Sequence, residues 1–437
     1  MRGIGHSLTG SCGARLAADS SRPIESSSIL TIVVRAGVGI VASSLLFGLP
    51  AQRSVHKPDQ APRPVWAQVA LARDSFGASL SIRVLSDARV LVNDRDRRRV
   101  LLLSPSLGRS ITVMDNMGQT RRRYGNAAGG LIRYRGDTTY FVDPDAMAFV
   151  AILPDGAIGR TTAIPSDPSL LHALLGTQPT AAFDPAGRLL YRDTPDAEFV
   201  MGTVAWRPPI ATAVATRATA CILRLDPAAH RIDTLGTLSI QARSSPRPWG
   251  DSAGHHLMLG VSNPILVSDD YALLEDGTVA LIRAQDYHVD WIAPGGHRES
   301  SPTIPHEWHR LTDSAKAAIV DSVKRYNADH PRHITGIDQH GRFAVDAVDY
   351  VVDPEQLADY PAPFLPGARA DAEGNVWVRQ PSDSATGAVY DIVDRKGILA
   401  DRVELPGGTT LIGFGSGLVF VSAREAWGTS LAAYRIK

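Results

Sequence analysis

The chain has 437 residues, 44% of them apolar and 21% charged, enough to bury a large interior and too long for one small core. Lys plus Arg and Asp plus Glu each total 45, so no net field draws nucleic acid or an anionic membrane surface. Two cysteines, Cys12 and Cys221, are too few for a disulfide framework or for a zinc site built on paired thiolates.

Ile29 to Leu49 is the one long apolar stretch, and Arg35 interrupts it. An arginine deep in a bilayer is costly, so a cleaved signal peptide is the more economical reading. Arg35 serves as the basic n-region, Ala36 to Leu49 as the apolar region, and Leu49-Pro50-Ala51 as the cleavage site. Residues 1–33 are Ser-rich and contain Asp19 and Glu25, so a start at Val33 or Val34 fits an export signal better. We therefore expect residues 1–51 to be an extension with a signal peptide, 52–63 a linker, and the rest periplasmic or secreted. A retained N-terminal anchor is the only route to a membrane. Cleavage removes Cys12 and leaves Cys221 as a lone thiol.

From Trp66 onward the chain reads as short strands between turn signals. One unit recurs: an alternating apolar run, a polar or Gly turn, two β-rich runs, and a short outer strand. Copies run from Leu80 to Asp115, Gly130 to Pro165, Pro179 onward, Tyr271 to Pro305, Gly367 to Pro406, and from Gly408 to the C-terminus. The last copy lacks its outer strand, while Pro64 to Leu71 stands alone before the first. If that strand supplies the missing one, neither terminal unit bares an edge. The expected fold is all-β: a six-bladed β-propeller over residues 64–437, closed by its N-terminal strand and carrying a short helical insertion.

The stretches RVLVNDRDRRRVLLLSPSLG, DDYALLEDGTVALIRAQDYHVDWIAPGG and YPAPFLPGARADAEGNVWVR resemble bacterial six-bladed propellers related to the NHL and TolB-like groups. The resemblance covers Trp66 to Lys437 and implies the blade count. It implies no activity, because such propellers bind or catalyse many different things.

Three insertions break the spacing: Thr194 to Ala218 between second and third strands, Gln241 to Gly254 and beyond before the fourth copy, and His306 to Pro366 before the fifth. By strand order all emerge on one face, around the channel mouth. The third predicts a helix capped by Thr312 or Asp313, with Ala317, Ala318, Ile319, Val323 and Tyr326 apolar and Lys316, Asp321 and Lys324 polar, packed on the propeller rim.

Histidines cluster in these insertions, but His306-Glu307-Trp308-His309 has i, i+3 spacing and does not match a zinc helix. Charged residues recur where second strands end: Asp94, Asp143, Asp193 and Asp286, with Arg379 and Arg424 in the last two copies. A ring of these residues at the mouth would recognise a small polar ligand, although an Asp at a strand end also suits turn N–H groups. The leading expectation is a binding or interaction module for a protein or small polar ligand, with no cofactor. The alternative is a metal-assisted hydrolase or lyase, with Ca2+ the ion to consider and Asp94, Asp143, Asp270 and Asn375 as oxygen ligands. No G-x-S-x-G elbow supports a serine hydrolase, and no helix follows the Gly413 to Gly417 turn to hold phosphate.

Overall fold

The computed structural model describes residues 66–436 except 73, 119–121, 166–167, 176–179, 194–196, 201–202, 207–216, 242–243, 251–255, 339–340 and 382–386. The expected signal peptide, linker and Cys12 lie outside these residues. Six four-stranded antiparallel sheets correspond to the six copies. In the first, Leu80–Val84, Val90–Asp94, Arg99–Leu103 and Ser110–Asp115 lie side by side in chain order. The innermost strands of the next four are Gly130–Arg133, Ala182–Phe183, Asp270–Leu273 and Leu365–Ala370. The sixth sheet comprises Thr409–Gly415, Leu418–Glu425 and Gly428–Ile436, with Trp66–Leu71 antiparallel to the last of these on the outer edge.

Middle strands are apolar on both faces because each blade is sandwiched between two others. Val90–Asp94 and Ala148–Ile152 are buried along their whole length, whereas the outer strand Ile158–Ala163 is not. Every junction between neighbouring blades holds one apolar cluster. At the junction of last and first blades, Ile412, Phe420 and Leu431 pack with Leu80, Val90 and Val92. Burial at roughly 25 cal/mol per Å2 of apolar surface makes these six clusters the main cohesive force of the ring.

The sequence signals one helix; the structure has two among the described residues. Pro168–Leu175 follows the second blade, and its Leu170, Leu171, Ala173 and Leu174 fill the junction to the third. The long helix, Asp313–Asp329, is capped by Thr312, whose Oγ1 accepts from Ala315 N at 3.2 Å. It packs on the neighbouring insertion, where the sequence suggested the rim. Strand His256–Ser262 pairs in parallel with Tyr350–Val351 from the next insertion, and Ile319 and Val320 pack with Val261, Val351, Val352 and Leu357. Lys316, expected on the polar face, is buried and donates from Nζ to Leu357 O at 3.0 Å and to Asp359 Oδ1 at 2.6 Å. Two insertions thus make one small module with its own core. Cys221 is buried in the third blade.

Candidate ligand site at the channel mouth

The six residues expected at the mouth do not form one ring. Asp94 is fully buried and satisfied: Oδ1 accepts from Gly77 N and Arg97 N, each at 3.2 Å, and Oδ2 from Arg99 Nε at 3.2 Å. Asp143 accepts from Ala146 N at 3.1 Å and Arg122 Nη2 at 2.9 Å. Asp193 follows the strand Leu189–Arg192, its own N–H bonded to Cys221 O at 2.7 Å. These three share the blade face that looks back to the preceding blade.

The others differ by register, because one residue's shift moves a side chain to the opposite face. Asp286 lies in a turn beside His288, three residues beyond Arg283, which stands at the true strand end. Arg379 lies two residues after Trp377, on the face toward the sixth blade. Arg424, on the sixth blade, is exposed.

Inner-strand arginines, which the strand-end pattern overlooks, hold the channel. At one end Glu275, in the fourth blade's first turn, reaches Arg133 Nη1 at 2.9 Å and Arg83 Nη1 at 3.6 Å, so the first, second and fourth blades are bridged. Arg133 Nη2 also donates to Leu274 O at 2.9 Å. Burial lowers the Arg83 pKa, with Glu275 opposing that shift.

At the junction of the fifth and sixth blades each innermost strand carries a β-bulge. The first breaks the pairing of Leu365–Ala370 between Leu365 and Arg369, where Gly367 has φ +112°, a conformation open to glycine but strained for other residues. Gly367 N and Ala368 N both donate to Asp270 Oδ2 at 2.7 Å, which locks the bulge to the fourth blade. Burial raises the Asp270 pKa despite those amide bonds. The second bulge lies between Leu411 and Gly413 and leaves Ile412 outside the ladder. Arg369 Nη1 donates to Ile412 O at 3.1 Å. Burial pushes the Arg369 guanidinium down to about 10.

Arg379 pairs across the strands with Tyr390, and Arg369 with Trp377, so all four side chains share the face toward the sixth blade. The Nε of Arg379 is buried without a hydrogen-bond partner. Burial raises the Tyr390 pKa while Arg379 and Arg369 pull it back. The Trp377 ring lies 4.9 Å from Phe414 and 6.0 Å from Tyr390, centroid to centroid. Two cations and a phenol therefore sit against an aromatic wall.

A second polar cluster lies one junction away. Asp391, fully buried, accepts from Tyr287 Oη at 2.9 Å and from Arg402 Nε at 2.6 Å, and Gln380 Nε2 donates to Tyr287 Oη at 3.1 Å. The His306 ring is edge-on to Tyr287 at 5.9 Å and to Trp308 at 5.0 Å, and burial lowers its pKa. His309 and Glu307 face solvent 3.7 Å apart and do not join His306.

The oxygen ligands considered for Ca2+ do not converge. Asp94, Asp143 and Asp270 are engaged as described, and Asn375 Nδ2 donates to Asp371 Oδ2 at 2.9 Å in a turn. Among the described residues no group of three or more His, Cys, Asp or Glu is placed to hold a metal ion. As placed, these four oxygen candidates do not fit such an ion.

No protein-family model matches the chain, and no curated protein matches it in sequence. Solved structures similar to it include a gluconolactonase from Xanthomonas campestris, 13% identical over 86% of this chain and 99% of that one, with TM-score 0.37. Regucalcin from Agrobacterium tumefaciens is 14% identical over 86% and 97%, with TM-score 0.35. Virginiamycin B lyase from Staphylococcus aureus is 11% identical over 85% and 99%, with TM-score 0.34. This is likeness of fold alone. The six blades rest on the strand order of this chain itself, and nothing singles out the NHL or TolB-like kind.

Proposed function

We propose that the chain is an exported propeller that binds a small polar ligand at the channel end beneath its insertions. The observation that supports this reading is the asymmetry of the channel. One end is tied across by Glu275, Arg133 and Arg83, whereas the insertions enter at the starts of the innermost strands, the end where Arg379 pairs with Leu365 and keeps a buried Nε without a hydrogen-bond partner. Ligand sites in ring folds favour the loop-rich face.

The test is a thermal-shift screen of small polar metabolites on the purified chain, with hydrogen exchange on every hit. Protection is expected at 365–370 and 376–380. Hits that protect only 83–87 and 274–278, or the lack of any hit, refute the reading.

A propeller hydrolase or lyase is the second reading. It is supported by His306, kept neutral by burial and set edge-on to Tyr287. A neutral imidazole can accept a proton from a bound substrate. Turnover of a screening hit that is lost in His306→Gln, with binding retained, would establish it. Export is tested by N-terminal sequencing of secreted protein, which is expected to begin near Ala51.

A further inference from the structure

Several half-buried arginines of the ring each face a carboxylate. Arg99 is paired with Asp94, Arg188 with Asp184, Arg224 with Asp233, Arg402 with Asp391, and Arg283 with both Asp269 and Asp290. This is what physics demands, since an enclosed cation without a counter-charge is expensive. Arg369 and Arg379 depart from it together, at the same junction. Among the described residues neither has a carboxylate within ion-pair distance.

We propose that Arg369, Arg379 and the Tyr390 hydroxyl form a seat for the oxyanion of a small organic acid, whose apolar body lies along Trp377 and Phe414. A guanidinium carries five N–H donors in a planar fork that matches a carboxylate. Arg369 uses one of them, on Ile412 O, and is aimed there by the bulge that Gly367 permits and Asp270 locks. Arg379 brings a buried Nε with no partner. Tyr390, paired across the strands with Arg379, adds a hydroxyl on the same face. Trp377 and Phe414, tilted by 51° with centroids 4.9 Å apart, bring apolar carbon to the junction, which favours an acid with an apolar body over a bare inorganic anion.

This rests on reading the chain as a binder at the inserted end, and the probes separate the two ideas. Benzoate, inorganic phosphate and neutral benzyl alcohol are titrated into the full chain by calorimetry at equal ionic strength, with chloride as the background anion. Benzoate is expected to bind, benzyl alcohol not to. Arg379→Gln should weaken benzoate roughly ten- to hundredfold, the loss expected for one charge-assisted hydrogen bond, with Arg379→Lys in between. Phenylglyoxal labelling of the wild-type chain needs no variant: benzoate should protect the Arg369 and Arg379 peptides and leave that of exposed Arg424 reactive. Equal binding of benzyl alcohol would overturn the oxyanion seat and leave the binding module standing. Phosphate binding at least as tight as benzoate would overturn the organic acid. Unprotected arginines, or binding unchanged in Arg379→Gln, would overturn the location.

Discussion

Asp391 is where a single charge change should cost most. Its carboxylate is fully buried and holds Arg402 Nε at 2.6 Å and Tyr287 Oη at 2.9 Å. Asp391→Asn keeps the shape, but one of those donors must then face an NH2 group. Removing one partner of a buried pair costs about 3–5 kcal/mol. Arg402 keeps 17% of its side chain exposed, which points to the lower end, near 3 kcal/mol. At about 2 cal/mol/K per residue over residues 66–436, the unfolding entropy is about 0.8 kcal/mol/K, so Tm should fall by about 4 °C. Circular dichroism melts and urea titrations followed by tryptophan fluorescence measure this, with Asp321→Asn on the exposed helix face as control. In Asp391→Asn/Arg402→Met no unpaired charge remains, so the double variant should lose clearly less than the sum of the singles. A Tm within about 1 °C of wild type for Asp391→Asn, or strict additivity, would refute the reasoning.

Asp270 carries the opposite sign. Burial raises its pKa above the ordinary 3.8, so its contribution is fully present below that value and is lost as pH rises through the folded pKa. Asp270→Asn, whose amide oxygen can still accept from Gly367 and Ala368, should flatten stability across that window and be at least as stable as wild type at pH 7. A variant clearly less stable at pH 7 would contradict this. Millimolar Ca2+ or EDTA should each move Tm by less than about 1 °C, because the candidate oxygens are already engaged; a rise of several degrees with Ca2+, reversed by EDTA, would reveal a site. Finally, we propose that Trp66–Leu71 seals the ring, so its deletion should lower Tm and cause self-association through the bared edge of Gly428–Ile436, seen by size-exclusion chromatography. A monomer with unchanged Tm would rule that out.

The blades were legible because each copy carries its own period-two alternation and turns, and both are local signals. The site was legible only in part. Counting strand ends places Arg379 with Asp94, yet the position equivalent to Asp94 is Gln380, whose side chain turns to Tyr287 in the preceding blade. A one-residue ambiguity is invisible in apolar runs, and it reverses the face. Arg369 has a weaker signal: a charged residue between Ala368 and Ala370 in an innermost strand, two residues after Gly367. The Glu275 bridge and the parallel pairing of two insertions join residues distant in sequence, and no local pattern encodes either.

The strand Val389–Val393 shows why the fifth blade can carry an unbalanced site. Tyr390 and Asp391 are neighbours in sequence and so point to opposite faces. On one face Asp391 completes a network with Tyr287, Arg402 and Gln380, and that junction is electrostatically closed. On the other face Tyr390 meets Arg379 and Arg369, and that junction is left cationic. The closed network holds the strand in register, while Trp377, Val403 and Val421 pack the open junction from within. Rigid apolar and ionic contacts on both sides thus offset the cost of two arginines without an acid. Uncompensated charge persists in a fold only where the surroundings over-determine it, and such places are where function concentrates.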